Sequence, residues 1–111
     1  MKNAAKQPEV YEVAPFYWKM CSGKMCPISA IPTPKLFYIL VKVWNTIIPQ
    51  HQVDVDSKIE LHASGTDAYY KLAVRKILAE LVGRDDITNF KTHINFMWKF
   101  LQKHPGILRK I

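Results

Sequence analysis

TPKLFYILVKVWNTIIP, Thr33 to Pro49, decides the fold. Leu36, Leu40, Val43, Trp44 and Ile47 recur every three or four residues, the spacing of one helix face. Lys35, Tyr38, Lys42 and Asn45 occupy only a narrow polar stripe between them. Thr33 suits an N-cap, Pro34 suits the first helical position, and Pro49 forbids continuation. The stretch therefore predicts a helix over about 34–48. Its apolar arc is too wide for a helix with one wet side, so it belongs at the centre of the molecule.

The period changes downstream. In HQVDVDSKIELHASG, residues 51–65, Val53 and Val55 alternate with Asp54 and Asp56, then Ile59 and Leu61 with Glu60 and His62. A period of two predicts a short β excursion near 53–62, an appendage because an isolated pair of strands is barely stable. Thr66 or Asp67 then caps a helix over 67–82 that Gly83 stops, with Tyr70, Val74, Ile77 and Leu81 turned inward and Ala73 flanking them. Lys76 and Glu80, four residues apart, are expected to pair.

After the turn GRDD, Asp85 or Asp86 is expected to cap a third helix, 86–104, ended by Pro105-Gly106. Ile87, Phe90, Ile94, Met97 and Leu101 make its core stripe with Trp98 beside it, while Phe96 and Phe100 widen the apolar arc.

Upstream, Pro8, Pro15, Pro27, Pro32 and Ser22-Gly23 break any long element, yet Tyr11, Phe16, Tyr17, Trp18, Met20 and Met25 are too apolar for a free tail. Residues 1–33 thus read as an irregular but ordered arm, and 34–111 as the helical domain. At 111 residues the chain forms one core. The expected fold is mainly α: a single small domain of three main helices with a short β excursion and this arm.

Charge is segregated along the chain, which carries a net +7. Residues 13–53 hold four lysines and no acid; residues 54–86 hold seven acids against five bases; residues 87–111 hold Lys91, Lys99, Lys103, Arg109 and Lys110 with no acid. Such a balance favours an acidic partner, nucleic acid or an acidic protein surface. The last two helices and their Gly-containing turn resemble a helix-turn-helix in outline. The polar face of the last helix carries the residue types that reach phosphates and base edges. The expected nucleic-acid contacts are Lys91, Asn95, Lys99 and Lys103, helped by Lys71, Arg75, Arg109 and Lys110.

A second possibility is a structural subunit, a scaffold or adaptor, that meets a protein partner through Phe16, Tyr17, Trp18, Phe96 and Phe100, the residue types enriched in interface cores. A third is a peripheral, matrix-like protein on anionic membrane. The first two readings both imply a larger assembly.

Other chemistry finds little footing. Cys21 and Cys26 stand five apart beside Met20 and Met25, and His51, His62, His93 and His104 show no ligand spacing, so no metal and no cofactor are expected. Asp54, Asp56 and Glu60 read as the wet side of an extended segment. No phosphate loop or nucleophile elbow is present, and the chain is not expected to be an enzyme. Its longest apolar run, residues 36–48, is interrupted by Lys42 and Asn45 and falls short of the ~20 residues of a transmembrane helix. With no signal-peptide core and no disulfide framework, an intracellular, reducing setting (cytoplasm or nucleus) is expected rather than secretion.

Overall fold

A computed structural model describes residues 15–108. Helix α1 (Thr33–Ile47) and helix α2 (Asp67–Val82) form the principal packing pair. Eight of the fifteen residues of α1 are buried, more than one face supplies, so α1 is the central element its wide apolar arc requires. Pro32 takes the N-cap position and Thr33 is the first helical residue. The Thr33 hydroxyl does not cap α1. It donates instead to Asp86 Oδ1 at 2.6 Å.

In α2 the Thr66 hydroxyl accepts the Tyr69 amide at 3.1 Å, a side-chain cap. Tyr70, Val74, Ile77 and Leu81 are buried, the stripe expected from their spacing, with Ala73 buried beside them. The helix stops at Gly83, and Arg84 turns back beneath the arm. Its guanidinium donates to the carbonyls of Ile31 (2.7 Å) and Ile28 (3.0 Å), to Thr33 Oγ1 (3.0 Å) and to Glu80 Oε2 (3.0 Å). Glu80 therefore pairs with Arg84 rather than with Lys76.

One planar fork thus joins residues 28–33 to the end of α2. Replacing Arg84 by alanine leaves the Ile31 carbonyl without its side-chain donor and removes the other three bonds, although the Ile28 carbonyl keeps the Ile31 N–H, at a cost of about 2–3 kcal/mol in unfolding free energy. Arg84→Lys, with its single point of donation, should recover less than half. Urea titration followed by circular dichroism reads both; an unchanged midpoint for Arg84→Ala would show that the latch contributes nothing.

Helix α3 (Lys91–Lys103) follows a 3₁₀ turn, Thr88–Phe90, and begins five residues later than expected. The reason is Asp86, whose carboxylate accepts from Thr33 across the molecule and so does not cap α3. Ile94 and Met97 are its buried residues, with Phe100 and Leu101 half-buried. It is the outermost of the three helices. Trp98, expected beside the core stripe, is instead 38% exposed.

The β structure is real but lies elsewhere. Strands β1 (Tyr17–Lys19) and β2 (Met25–Pro27) pair antiparallel, Trp18 opposite Cys26, across a turn in which Gly23 takes φ +96°. The hairpin is an integral part of the core. Trp18 is 1% exposed and stacks on Tyr69 at 5.7 Å, and Phe16 stacks on the same ring at 5.5 Å. The Tyr69 hydroxyl donates to the Tyr17 carbonyl (2.9 Å) and accepts the Lys19 amide (3.0 Å), satisfying backbone groups on the free edge of β1. Burial raises the pKa of Tyr69 and of Tyr70 above the ordinary phenol value.

Residues 53–62, expected to be the β excursion, form no strand. They make an extended strap across α1. Val53 is buried and Val55, Ile59 and Leu61 pack on the core, while Asp54, Asp56 and Glu60 are exposed. Alternation reports an extended chain on an apolar surface; it does not report a hydrogen-bonded neighbour. Here the neighbour is a helix, whose backbone groups are already paired, so side chains take the role of a strand. The Asn45 amide both donates to the Val53 carbonyl (3.1 Å) and accepts its N–H (2.7 Å). Ser57 Oγ donates to the Tyr38 carbonyl (2.8 Å), and the Tyr70 hydroxyl to the His62 carbonyl (3.1 Å).

Candidate nucleic-acid interface

Three ion pairs occur among the described residues: Lys58–Asp56 at 3.2 Å, Lys71–Asp67 at 2.8 Å and Arg84–Glu80 at 3.0 Å. All six partners fall within residues 54–86, the one stretch of the described residues that mixes signs. Three of its seven carboxylates, Asp56, Asp67 and Glu80, are thus matched locally; Asp54 and Glu60 lie on the strap, and Asp85 and Asp86 in the connection after α2. Lys35 and Lys58 line one surface hollow with Glu60, and Lys42 lines another with Asp56. The strap therefore sets acids beside lysines of the first acid-free region.

The second region has no such companion. Lys91, Asn95, Lys99 and Lys103 are all exposed on α3, and among the described residues none of these lysines has a carboxylate within 4.0 Å. Each is four residues from the next, so the row winds slowly around one side of the helix, opposite Ile94 and Met97. Thr92 and Gln102, also exposed, fill the same side with donors and acceptors.

The helpers named from sequence divide. Arg75 is exposed on α2. The Lys71 side chain is only 12% exposed and its ammonium is held by Asp67, so it is not a free cation. The signal was present in the sequence, because Asp67 and Lys71 stand four apart. Arg109 and Lys110 lie outside the described residues. The connection from α2 to α3 runs over residues 83–90 and contains a 3₁₀ turn, longer than the three or four residues of a helix-turn-helix.

The aromatic residues also divide. Trp18 and Phe16 are consumed by the core, and Phe100 packs edge-on to Trp44 at 5.6 Å and against His51 at 4.7 Å. Tyr17 and Phe96 remain exposed, at 44% and 49%.

Two other clusters bring reactive side-chain types together. The first is a cavity of about 170 Å³ between the hairpin and the start of α2, lined by Lys19, His62, Ser64 and Thr66 among others. Ser64 Oγ lies 2.6 Å from His62 Nδ1, which also accepts the Ser64 amide at 3.1 Å. These partners sit two residues apart in one turn, and no described hydrogen bond reaches the imidazole from a third group to orient it. They close the loop into α2.

The second cluster is Cys21 and Cys26. Cys21 Sγ donates to Glu60 Oε1 at 3.5 Å, and that bond, with a little burial and the carboxylate charge, raises the thiol pKa above its ordinary value. Such a thiol stays protonated near neutral pH and is a weak nucleophile and a weak metal ligand. Among the described residues no group of three His, Cys, Asp or Glu side chains is placed to hold a metal ion, and no helix is long and apolar enough to cross a membrane.

Comparison of the chain with protein-family models, with curated proteins and with solved structures yields no match in any of the three. What the surface can do rests on its own residues: a 13-residue helix offering three unpaired ammonium groups and uncharged hydrogen-bonding side chains, with no acid among them.

Proposed function

We propose that the protein is a small, non-catalytic, basic binding module that contacts nucleic acid through the outer face of α3, as a component of a larger assembly. The observation that carries this reading is the pairing pattern. Acids of residues 54–86 engage bases of the same segment, and the lysines of α3 are left to solvent. A lysine that neutralises a phosphate releases a condensed counterion, so binding at this face is strongly salt-dependent. The absence of carboxylates on α3 contributes equally, since one acid in the row would repel the phosphate backbone. Lys91, Asn95, Lys99 and Lys103 make the contact, with Arg75 and, beyond the described residues, Arg109 and Lys110 in support.

Titration of fluorescently labelled nucleic acid at low and at physiological salt tests the reading. Lys99→Glu, at the middle of the row, should weaken binding about tenfold or more at low salt, since it removes one phosphate contact and adds a repulsion. Lack of any binding at low salt removes the proposal. Equal salt-sensitive binding to phosphatidylserine vesicles alone moves it to the membrane surface.

A scaffold or adaptor role is the second reading. Tyr17 and Met25 favour it, both large and exposed on the hairpin. Trp18 and Phe16, turned into the chain's own core, no longer support it.

A further inference from the structure

The lysine row on α3 has aromatic borders. Taking about 100° per residue, Lys91, Gln102, Asn95, Lys99, Thr92 and Lys103 fall within one arc of about 120°. Trp98 lies about 20° beyond the Lys91 edge, and Phe96 about 20° beyond the Lys103 edge. Both rings are open to solvent, Trp98 at 38% and Phe96 at 49% of their full exposure. Among the described residues Phe96 meets one other ring, Phe100, at 6.1 Å and a tilted angle, and much of its surface is uncovered. An arc of ammonium and amide groups between two exposed aromatic rings is not what solubility alone requires. Lysines suffice for that, and exposed rings work against it.

Duplex DNA or RNA offers such a face only half of what it can bind. The phosphates of a duplex answer the lysines, but its bases are stacked on one another and present edges, not faces. Reading those edges favours arginine, and α3 contains none. A single strand presents both partners together: phosphates for the ammonium groups and unstacked base faces for the rings. Stacking is indifferent to base identity, and lysine is a point charge without directional pairing, so the same features imply weak sequence preference.

From this we infer that the ligand of α3 is single-stranded nucleic acid, its backbone following the lysine row and its bases stacking on Trp98 and Phe96. The inference rests on the nucleic-acid reading of this face and narrows it to one form of the polymer.

The test compares one mixed sequence of about 12 nucleotides, within the range of known single-strand site sizes, as a free strand and as a duplex. Both are labelled and titrated at the same low salt into the full chain and into Trp98→Ala, Phe96→Ala and Trp98→Phe. Thermal unfolding of each variant, followed by circular dichroism, confirms that the fold is kept; Trp98→Phe covers the case in which truncation to alanine disturbs α3. The single strand should bind about tenfold more tightly than the duplex, and Trp98→Ala should lose about tenfold on the single strand only, with its salt dependence unchanged. Trp98→Phe should retain most of the affinity. Equal affinity for the two forms, with all three variants like wild type, overturns the single-strand assignment while leaving salt-sensitive binding, and the broader reading, in place. Binding of neither form removes both.

Discussion

Trp18→Ala should lower unfolding stability by about 3–5 kcal/mol, the range for truncating a fully buried aromatic residue. Trp18 is among the largest fully buried side chains of the described residues, stacks on Tyr69 and meets Tyr70 at a tilt. Removing it opens a cavity between the hairpin and α2 that the short strands cannot close. Since small domains are stable by only about 5–15 kcal/mol, this is about a fifth or more of the total and corresponds to a fall in melting temperature of roughly 10–20 °C or more.

Tyr17, one residue earlier, is the internal control. It is exposed, and Tyr17→Ala should change stability by less than about 0.5 kcal/mol. Thermal unfolding followed by circular dichroism separates the two. Equal, small effects would show that the hairpin is an accessory to the fold rather than a part of its core.

The second large effect concerns binding. Reversing Lys91, Lys99 and Lys103 together to glutamate should weaken nucleic-acid binding at low salt by more than about a hundredfold, since each phosphate contact is worth roughly tenfold at most and each reversal adds repulsion. The positions are exposed, so the melting temperature should move by only a few degrees. A matched variant, Lys24, Lys35 and Lys58 to glutamate, makes the same change in net charge on other elements. Compared at about 0.1 M salt, it should weaken binding only a few-fold, because charges farther than about 10 Å from the ligand are then largely screened. The comparison separates a local face from a merely basic protein.

The fold was legible where both ends of an element carry their own chemistry. The boundaries of α2 were readable because Thr66 caps it and Gly83 stops it. The start of α3 was not, because Asp86, a cap by its local position, is engaged by Thr33 fifty-three residues away. In residues 53–62 the alternation reported correctly which side chains face inward, and misreported the neighbour. The hairpin was hidden for the opposite reason: strands of three residues bounded by Pro15, Gly23 and Pro27 show no period at all.

At the candidate site, the lysine row could be placed from helical spacing and charge alone, which need no tertiary information. The withdrawal of Lys71 into its pair with Asp67 and the exposure of Trp98 depend on how α2 and α3 seat on the core. Trp98 lies at the border of the polar arc, where periodicity does not distinguish a covered ring from an open one.

Measuring the binding constant of a labelled single strand across a series of salt concentrations addresses the central claim, that α3 keeps three lysines free for phosphate. The logarithm of the constant should fall against the logarithm of salt with a slope of about −2 or steeper, from about 0.7 ion released per lysine of the row, and the triple reversal should make it shallower by about 2. A slope near zero for the wild-type chain, or an unchanged slope after the reversal, would contradict it.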